Sequence, residues 1–66
     1  MNYEVAAVPI PGNADQVESF EQWLEKLSQN GAELVSVAPS QSTRLMLCIF
    51  RVPQRGVVSN VAPPIS

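Results

Sequence analysis

The most constraining feature of this sequence is an uninterrupted apolar run at residues 45–50, which lies between Arg44 and Arg51. A short apolar run with polar ends is typical of a β-strand in the middle of a sheet. Successive side chains of a strand point to opposite faces, so this strand is apolar on both faces. One face carries Leu45, Leu47 and Ile49, and the other carries Met46, Cys48 and Phe50. A fold that contains this strand has to cover two apolar surfaces.

The chain length limits how much of that surface one chain can cover. With 66 residues it forms one small domain, and a domain of this size buries only about 60 % of the surface that its unfolded chain exposes. Such domains often depend on disulfide bonds or a structural zinc ion, but the sequence has one cysteine and no histidine. The sequence therefore predicts no bound metal and no cofactor, and it favours a protein partner as the missing support.

A single amphipathic helix is predicted at residues 14–30. Asn13 is a suitable N-cap, with Gln16 three residues later as its reciprocal partner, and Gly31 allows a left-handed stop. Apolar side chains recur at helical spacing on one stripe, which comprises Val17, Phe20, Trp23, Leu24 and Leu27. We interpret the two aromatic residues as core residues rather than as a platform for a ligand.

Strands are predicted on both sides of this helix, at residues 3–8 and 33–38, and the apolar run is the third strand. A short polar loop at residues 39–43 joins the second strand to the third, which predicts an antiparallel hairpin. The most apolar strand belongs in the middle of the sheet. The predicted fold is therefore α+β, with a β-α-β-β order, a three-stranded sheet of order 1-3-2, a central antiparallel third strand and the helix on one face.

The sequence divides into a domain at residues 1–55 and an uncharged apolar tail at residues 56–66. A three-stranded sheet with one helix leaves one face open, and an apolar tail can lie along a sheet edge or in the groove of a partner. The predicted protein interface therefore comprises Met46, Cys48, Phe50, Val57, Val58, Val61 and Ile65. Two alternatives are that the tail folds back over the open face of its own chain, or that it is a frayed end.

The charged residues are distributed unevenly along the chain. All six acidic residues and Lys26 fall within residues 1–33, whereas residues 34–66 carry three arginines, and the net charge is −2. A chain with this balance lacks the basic patch on which nucleic-acid binders depend, so no nucleic-acid partner is predicted. The unevenness is typical of a solvated acidic helix beside a sheet, and it can also orient one copy against another.

The location of the protein is predicted from what its sequence lacks. The first residues have no basic flank and no apolar signal core, and no run approaches the roughly 18 apolar residues of a membrane span. A lone cysteine also suits a reducing compartment. We therefore expect a cytoplasmic protein without a membrane partner.

Candidate catalytic groups are few. Without histidine the chain lacks the commonest general base. Cys48 lies within the apolar run, where a thiol is expected to be inert. Glu18, Glu21 and Glu25 share one helix face, where we expect them to be solvated rather than arranged as an acid and a base. The sequence predicts a protein that is not an enzyme and has no catalytic residues, and a small-molecule ligand has no supporting motif.

Three segments carry a family resemblance. Residues 31–37 read Gly-Ala-Glu-Leu-Val-Ser-Val, and residues 50–53 close the third strand as Phe-Arg-Val-Pro. Together with Tyr-Glu-Val at residues 3–5, this pattern over residues 2–53 resembles a small bacterial and phage family, domain-of-unknown-function family four-one-seven-seven. Its members usually have a tryptophan where this chain has Ala32. The resemblance implies the same strand-helix-strand-strand order and assigns no site residues.

Two hypotheses for function follow from these features. The first is a non-enzymatic small interaction module that acts as a homo-oligomer or as an accessory subunit of a larger protein assembly. The second is a phage- or host-encoded inhibitor or small-ligand sequestering protein with a pocket between subunits. The open sheet face and the apolar tail favour the first hypothesis.

Overall fold

A computed structural model describes residues 2–64 of the chain. Its four elements are β1 (Asn2–Pro9), α1 (Ala14–Gln29), β2 (Glu33–Pro39) and β3 (Leu45–Val52). The sheet has the order β1-β3-β2, and both outer strands run antiparallel to β3. The predicted α+β class, the order of the elements and the central position of the apolar strand are confirmed.

Local side-chain contacts define both ends of α1. Asn13 is the N-cap, and its side-chain oxygen accepts a hydrogen bond of 2.9 Å from the backbone N–H of Gln16. The side-chain oxygen of Gln16 accepts a bond of 2.6 Å from the backbone N–H of Gly12, one residue before the expected reciprocal partner. At the other end Asn30 is the C-cap, and Gly31 has a φ of +89°, a conformation that favours glycine.

The core lies between α1 and one face of the sheet. Its largest members from the sheet are Phe50 and Val8, which are at most 1 % exposed, and α1 contributes Trp23 and Leu27. The rings of Trp23 and Phe50 meet edge to face, with 5.4 Å between their centroids. Val17, which the predicted apolar stripe includes, is 43 % exposed. The buried stripe of α1 is therefore narrower than the sequence pattern indicates.

The C-terminal segment at residues 56–61 packs on the same side of the sheet as α1. Val58 is 5 % exposed and belongs to the core, and Val57 and Val61 pack against that core. The backbone N–H of Val61 donates to the carbonyl of Val58 at 3.2 Å, which closes a turn within the segment. The packed domain thus extends beyond residue 55, where the sequence predicts its end.

A side chain of β1 holds this segment in place. The carboxylate of Glu4 accepts hydrogen bonds from the backbone N–H groups of Gly56 at 3.1 Å and Val58 at 2.9 Å. Glu4 pairs with Phe50 in the register of β1 and β3, so both side chains lie on the helix side of the sheet. The described part of the tail therefore folds back onto its own chain, but onto the helix side and not over the open face.

The two outer strands are irregular or end in proline. Leu34 pairs with Phe50 and Ser36 pairs with Ile49, so Val35 is an additional residue in β2 that forms a β-bulge. Pro9 is the last residue of β1 and Pro39 is the last residue of β2. A proline has no backbone N–H and cannot donate to a neighbouring strand.

Candidate interaction surface

The sheet face that points away from α1 is the main candidate surface, and we call it the open face. The strand register places on this side Tyr3, Val5, Ala7 and Pro9 of β1, Leu45, Leu47 and Ile49 of β3, and Ser36 and Ala38 of β2. Tyr3 and Val5 are each 58 % exposed. Since α1 and residues 56–61 both lie on the opposite side, the open face is apolar and in contact with solvent.

The open face has a distinct relief. Leu47 at its centre pairs with Ala7 on one side and with Ala38 on the other, while Ile49 pairs with Ser36. Large side chains therefore stand along the middle of the sheet, with small ones beside them on β2, whereas β1 places Val5 beside Ile49 and Tyr3 beside Arg51. We call Leu45, Leu47 and Ile49 the β3 ridge, and Ser36 and Ala38 the β2 groove.

One ion pair borders the open face. Arg51 continues the β3 ridge, and its guanidinium lies 2.7 Å from the carboxylate of Glu33 at the start of β2. The hydrogen bond and the charge of Glu33 both raise the pKa of Arg51 above its ordinary value. The two charges compensate each other, so this rim is polar but has no net charge.

The acidic residues of α1 lie in the other layer of the molecule. Asp15, Glu18, Glu21 and Glu25 are all exposed on the helix. Since α1 packs on the side of the sheet opposite the open face, the excess negative charge of the chain is concentrated away from that face.

The structure corrects the choice of β3 residues for the predicted interface. Cys48 and Phe50 are at most 1 % exposed, and Met46 is half-buried and packs against the core. These three side chains lie under α1, and the open face instead carries the β3 ridge. The sequence indicates this orientation of β3. The face with the β3 ridge continues to the charged Arg51, whereas the face with Phe50 continues to the apolar Val52.

The structure also changes the assignment of the tail residues. Of the predicted interface residues in the tail, Val58 is buried in the core of its own chain, and Val57 and Val61 are half-buried and pack against that core. Burial of Val58 leaves almost none of its side chain for a partner. Ile65, the last member of the predicted interface, lies outside the described residues.

The groups considered for catalysis are one buried thiol and three exposed carboxylates. Cys48 is a buried free cysteine, and burial raises the pKa of its thiol, which keeps it protonated and unreactive. Glu18, Glu21 and Glu25 are exposed on α1. Residues 2–64 contain no group of three or more histidine, cysteine, aspartate or glutamate side chains placed to hold a metal ion.

The grooves on the helix side of the sheet include two that border the core. One, of about 240 Å³, lies between β1 and the C-terminal segment and is bordered by Trp23 and Val61. The indole N–H of Trp23 is buried and has no hydrogen-bond partner among the described residues. The other, of about 470 Å³, lies between α1 and β2 and is bordered by Leu24, Ala32 and Leu34. Each groove has one carboxylate in its lining, but Glu4 already accepts hydrogen bonds from the backbone N–H groups of Gly56 and Val58, and Glu33 is paired with Arg51.

Comparisons of this chain with models of protein families, with curated proteins and with solved structures find no match. Within residues 2–64, α1 is the one helix, and it is too short and too polar to cross a membrane. The function is therefore inferred from the open face itself.

Proposed function

We propose that this protein is a non-enzymatic interaction module that binds another protein through its open face, either as a homo-oligomer or as an accessory subunit of a larger assembly. The observation that carries the proposal is the apolar open face, on which Tyr3 and Val5 are each 58 % exposed beside the β3 ridge. A contiguous apolar surface with a polar rim is typical of protein interaction sites. The helix and the C-terminal segment already lie on the other side of the sheet, so a partner is the natural cover.

The free energy of apolar burial supports a binding role. Full burial of a leucine, valine or isoleucine side chain contributes about 1.5–3 kcal/mol. A chain of this length has a total stability of about 3–10 kcal/mol. Val5 is 58 % exposed and the β3 ridge is half-buried, so covering these side chains contributes a part of that amount, and the entropy cost of association is subtracted from it.

The chemistry of the described side chains also supports binding rather than catalysis. The buried thiol of Cys48 is held protonated, and the carboxylates of α1 are exposed and separated along the helix. We include in the proposal a reducing, cytoplasmic compartment, in which a single buried cysteine remains a free thiol.

The resemblance to domain-of-unknown-function family four-one-seven-seven is a further part of the proposal. The order of the elements supports it. Ala32, which replaces the usual tryptophan of that family, is 8 % exposed and borders the groove of about 470 Å³ between α1 and β2. A larger side chain at this position would project toward that groove.

The proposal is tested with lysine substitutions on the two sides of the sheet. Val5→Lys and Leu47→Lys place a charge on the open face, and Val37→Lys places the same charge on the helix side. Val37 is a suitable control because it is a strand valine, is 49 % exposed and pairs with the buried Cys48. Far-UV circular dichroism and the fluorescence of Trp23 establish that each variant is folded.

Association is then measured in two ways, by light scattering of the purified chain and by quantifying proteins that co-purify with the tagged chain from its own cells. We expect both open-face variants to lose the association that the unchanged chain shows, and Val37→Lys to retain it. An equal loss in Val37→Lys would place the contact elsewhere and overturn the proposal, as would an unchanged chain that associates with no protein in either measurement.

A further inference from the structure

We infer that Asn30 is a modification site, at which the side-chain amide is lost spontaneously to leave an aspartyl or isoaspartyl residue, and that the C-terminal turn of α1 controls the rate. The site is the Asn30-Gly31 pair that ends the helix. Its chemistry needs no enzyme and no reactant other than water. The site lies at the end of α1 and does not involve the open face, so this inference goes beyond the proposed function.

The reaction takes place between the backbone of Gly31 and the side chain of Asn30. The backbone nitrogen of Gly31 gives up its proton to base and attacks the side-chain carbonyl carbon of Asn30. The bond from that carbon to Nδ2 breaks, ammonia leaves, and a succinimide ring closes. Water then opens the ring at either carbonyl, which leaves an aspartate side chain or an isoaspartyl backbone. Glycine permits the attack because it has no side chain to shield its nitrogen.

The folded backbone keeps the two reacting atoms apart. Asn30 has a ψ of 9°, so its own backbone nitrogen nearly eclipses the backbone nitrogen of Gly31. The Cβ atom of Asn30 is another substituent of the tetrahedral Cα and therefore points away from the nitrogen of Gly31. Ring closure requires Cβ in the eclipsed position. The reaction thus needs a rotation about the Cα–C bond of Asn30.

Hydrogen bonds at the helix end oppose this rotation. The N–H of Gly31 donates to the carbonyl of Ser28 at 3.0 Å, and the N–H of Ala32 donates to the carbonyl of Leu27 at 2.9 Å. A rotation at Asn30 displaces both donors, and the bond to Ser28 also shields the proton that base has to remove. The reaction therefore proceeds from conformations in which this turn has opened. Such local openings occur without unfolding of the whole domain.

The amide that is lost contributes to the same turn. Nδ2 of Asn30 donates a hydrogen bond of 2.9 Å to the carbonyl of Lys26. A carboxylate has no proton to donate, and its charge would lie at the negative end of the helix dipole. Lys26 is in the last turn and Arg55 borders the same surface groove as Asn30, but both are exposed, and exposed ion pairs contribute little stability. Modified chains are therefore expected to open this turn more readily.

The test incubates the purified full chain in mildly alkaline buffer, with and without denaturing urea. Peptide mapping by mass spectrometry quantifies aspartyl and isoaspartyl products, and Asn13, which precedes Ala14, is the internal control. In urea we expect product at Asn30 well before product at Asn13. In the folded chain we expect the rate at Asn30 to be at least about tenfold lower than in urea. Hydrogen exchange of the Gly31 N–H is expected to rise in parallel with product as urea is increased.

Gly31→Ala separates access to the nitrogen from opening of the turn. The substitution strains the turn, because Gly31 has a φ of +89°, yet the added methyl group shields the nitrogen. We expect product at Asn30 to fall to the level of Asn13 in urea and to stay low in the folded variant, although that variant is less stable. Faster modification of this variant would overturn the ring-closure mechanism.

The effect of the modification is tested with Asn30→Asp, which has the side chain of the aspartyl product. It is expected to unfold at a lower urea concentration than Gln29→Glu, which adds the same charge at a neighbouring exposed position. Equal midpoints would contradict a role for the hydrogen bond to Lys26. Equal rates at Asn30 in the folded and unfolded chains would overturn control by the turn. A rate at Asn30 no higher than at Asn13 in urea would overturn the site itself.

Discussion

The carboxylate of Glu4 accepts a hydrogen bond of 2.9 Å from the backbone N–H of Val58, although 54 positions of the chain separate the two residues. Its other oxygen accepts a second bond, of 3.1 Å, from the backbone N–H of Gly56. Hydrogen bonds to a charged acceptor are stronger than those between neutral groups. One side chain of the first strand therefore fixes the position of the C-terminal segment and keeps Val58 in the core.

We predict that Glu4→Gln lowers the free energy of unfolding by about 1–2 kcal/mol, because the amide has one acceptor oxygen where the carboxylate has two. Glu21→Gln is the matched control, since it removes the same charge from an exposed position on α1. The control is expected to change stability by less than about 0.5 kcal/mol. Urea denaturation followed by circular dichroism measures both values. Equal losses in the two variants would attribute the effect to charge and not to hydrogen bonds.

We predict that truncation after Arg55 destabilises the domain by about 2–4 kcal/mol, since it removes the buried Val58 and leaves the Glu4 carboxylate without its two donors. A shorter truncation after Val61 keeps these contacts and is expected to retain most of the stability. Thermal unfolding at matched protein concentration distinguishes the two chains. If both truncations retain full stability, the C-terminal segment does not belong to the folded core.

We predict that Gly31→Ala lowers stability by about 1–2 kcal/mol, because a Cβ atom is strained at a φ of +89°. The added atom would also lie 3.1 Å from the Cγ atom of Pro53. Gly12→Ala is the control, since no positive φ is required there and the Cβ would meet only the end of the flexible Gln16 side chain. Denaturation midpoints for the two variants provide the comparison. A larger loss for Gly12→Ala would contradict this reasoning.

We predict that Cys48 reacts with a thiol reagent only when the domain unfolds, because the thiol is buried and burial raises its pKa. Folding therefore favours the protonated thiol. The resulting contribution to stability is complete below the ordinary thiol pKa of about 9 and decreases as the pH rises above it. Labelling rates with and without denaturant measure the first effect. The second is the difference between the unchanged chain and Cys48→Ala in unfolding experiments across that pH range, and rapid labelling of the native chain would contradict both.

The parts of the fold that were predictable from sequence depend on local chemistry. Asn13 and Gly31 define the helix because a cap and a left-handed stop act within a few residues. The apolar run at residues 45–50 lies in the central strand because only a central strand has neighbours on both edges. The ends of the helix and the position of the central strand therefore follow from residues that are close together in the sequence.

The errors concern contacts across the chain. Alternation along β3 separates two sets of side chains but does not indicate which set faces the helix, and the structure buries the set that includes Cys48 and Phe50. The charge of Arg51 indicates that its side of β3 faces solvent. Glu4 on β1 would by the same reasoning place its own side in solvent, although that side faces the helix. Its hydrogen-bond donors, Gly56 and Val58, come from the far end of the chain. The position of the Glu4 carboxylate on the helix side of the sheet is explained by these two backbone N–H groups, which alternation along the strand does not reveal.

The bulge at Val35 and the terminal prolines of β1 and β2 reduce the tendency of the protein to aggregate through its sheet edges at high concentration. A sheet with regular edges can recruit further copies strand by strand, and such growth has no natural end. The bulge interrupts one edge, and the missing N–H groups of Pro9 and Pro39 weaken both. Association through a single face, by contrast, is complete once that face is covered. The irregular strand edges therefore protect the sheet against fibril growth while leaving the proposed binding surface on the open face accessible.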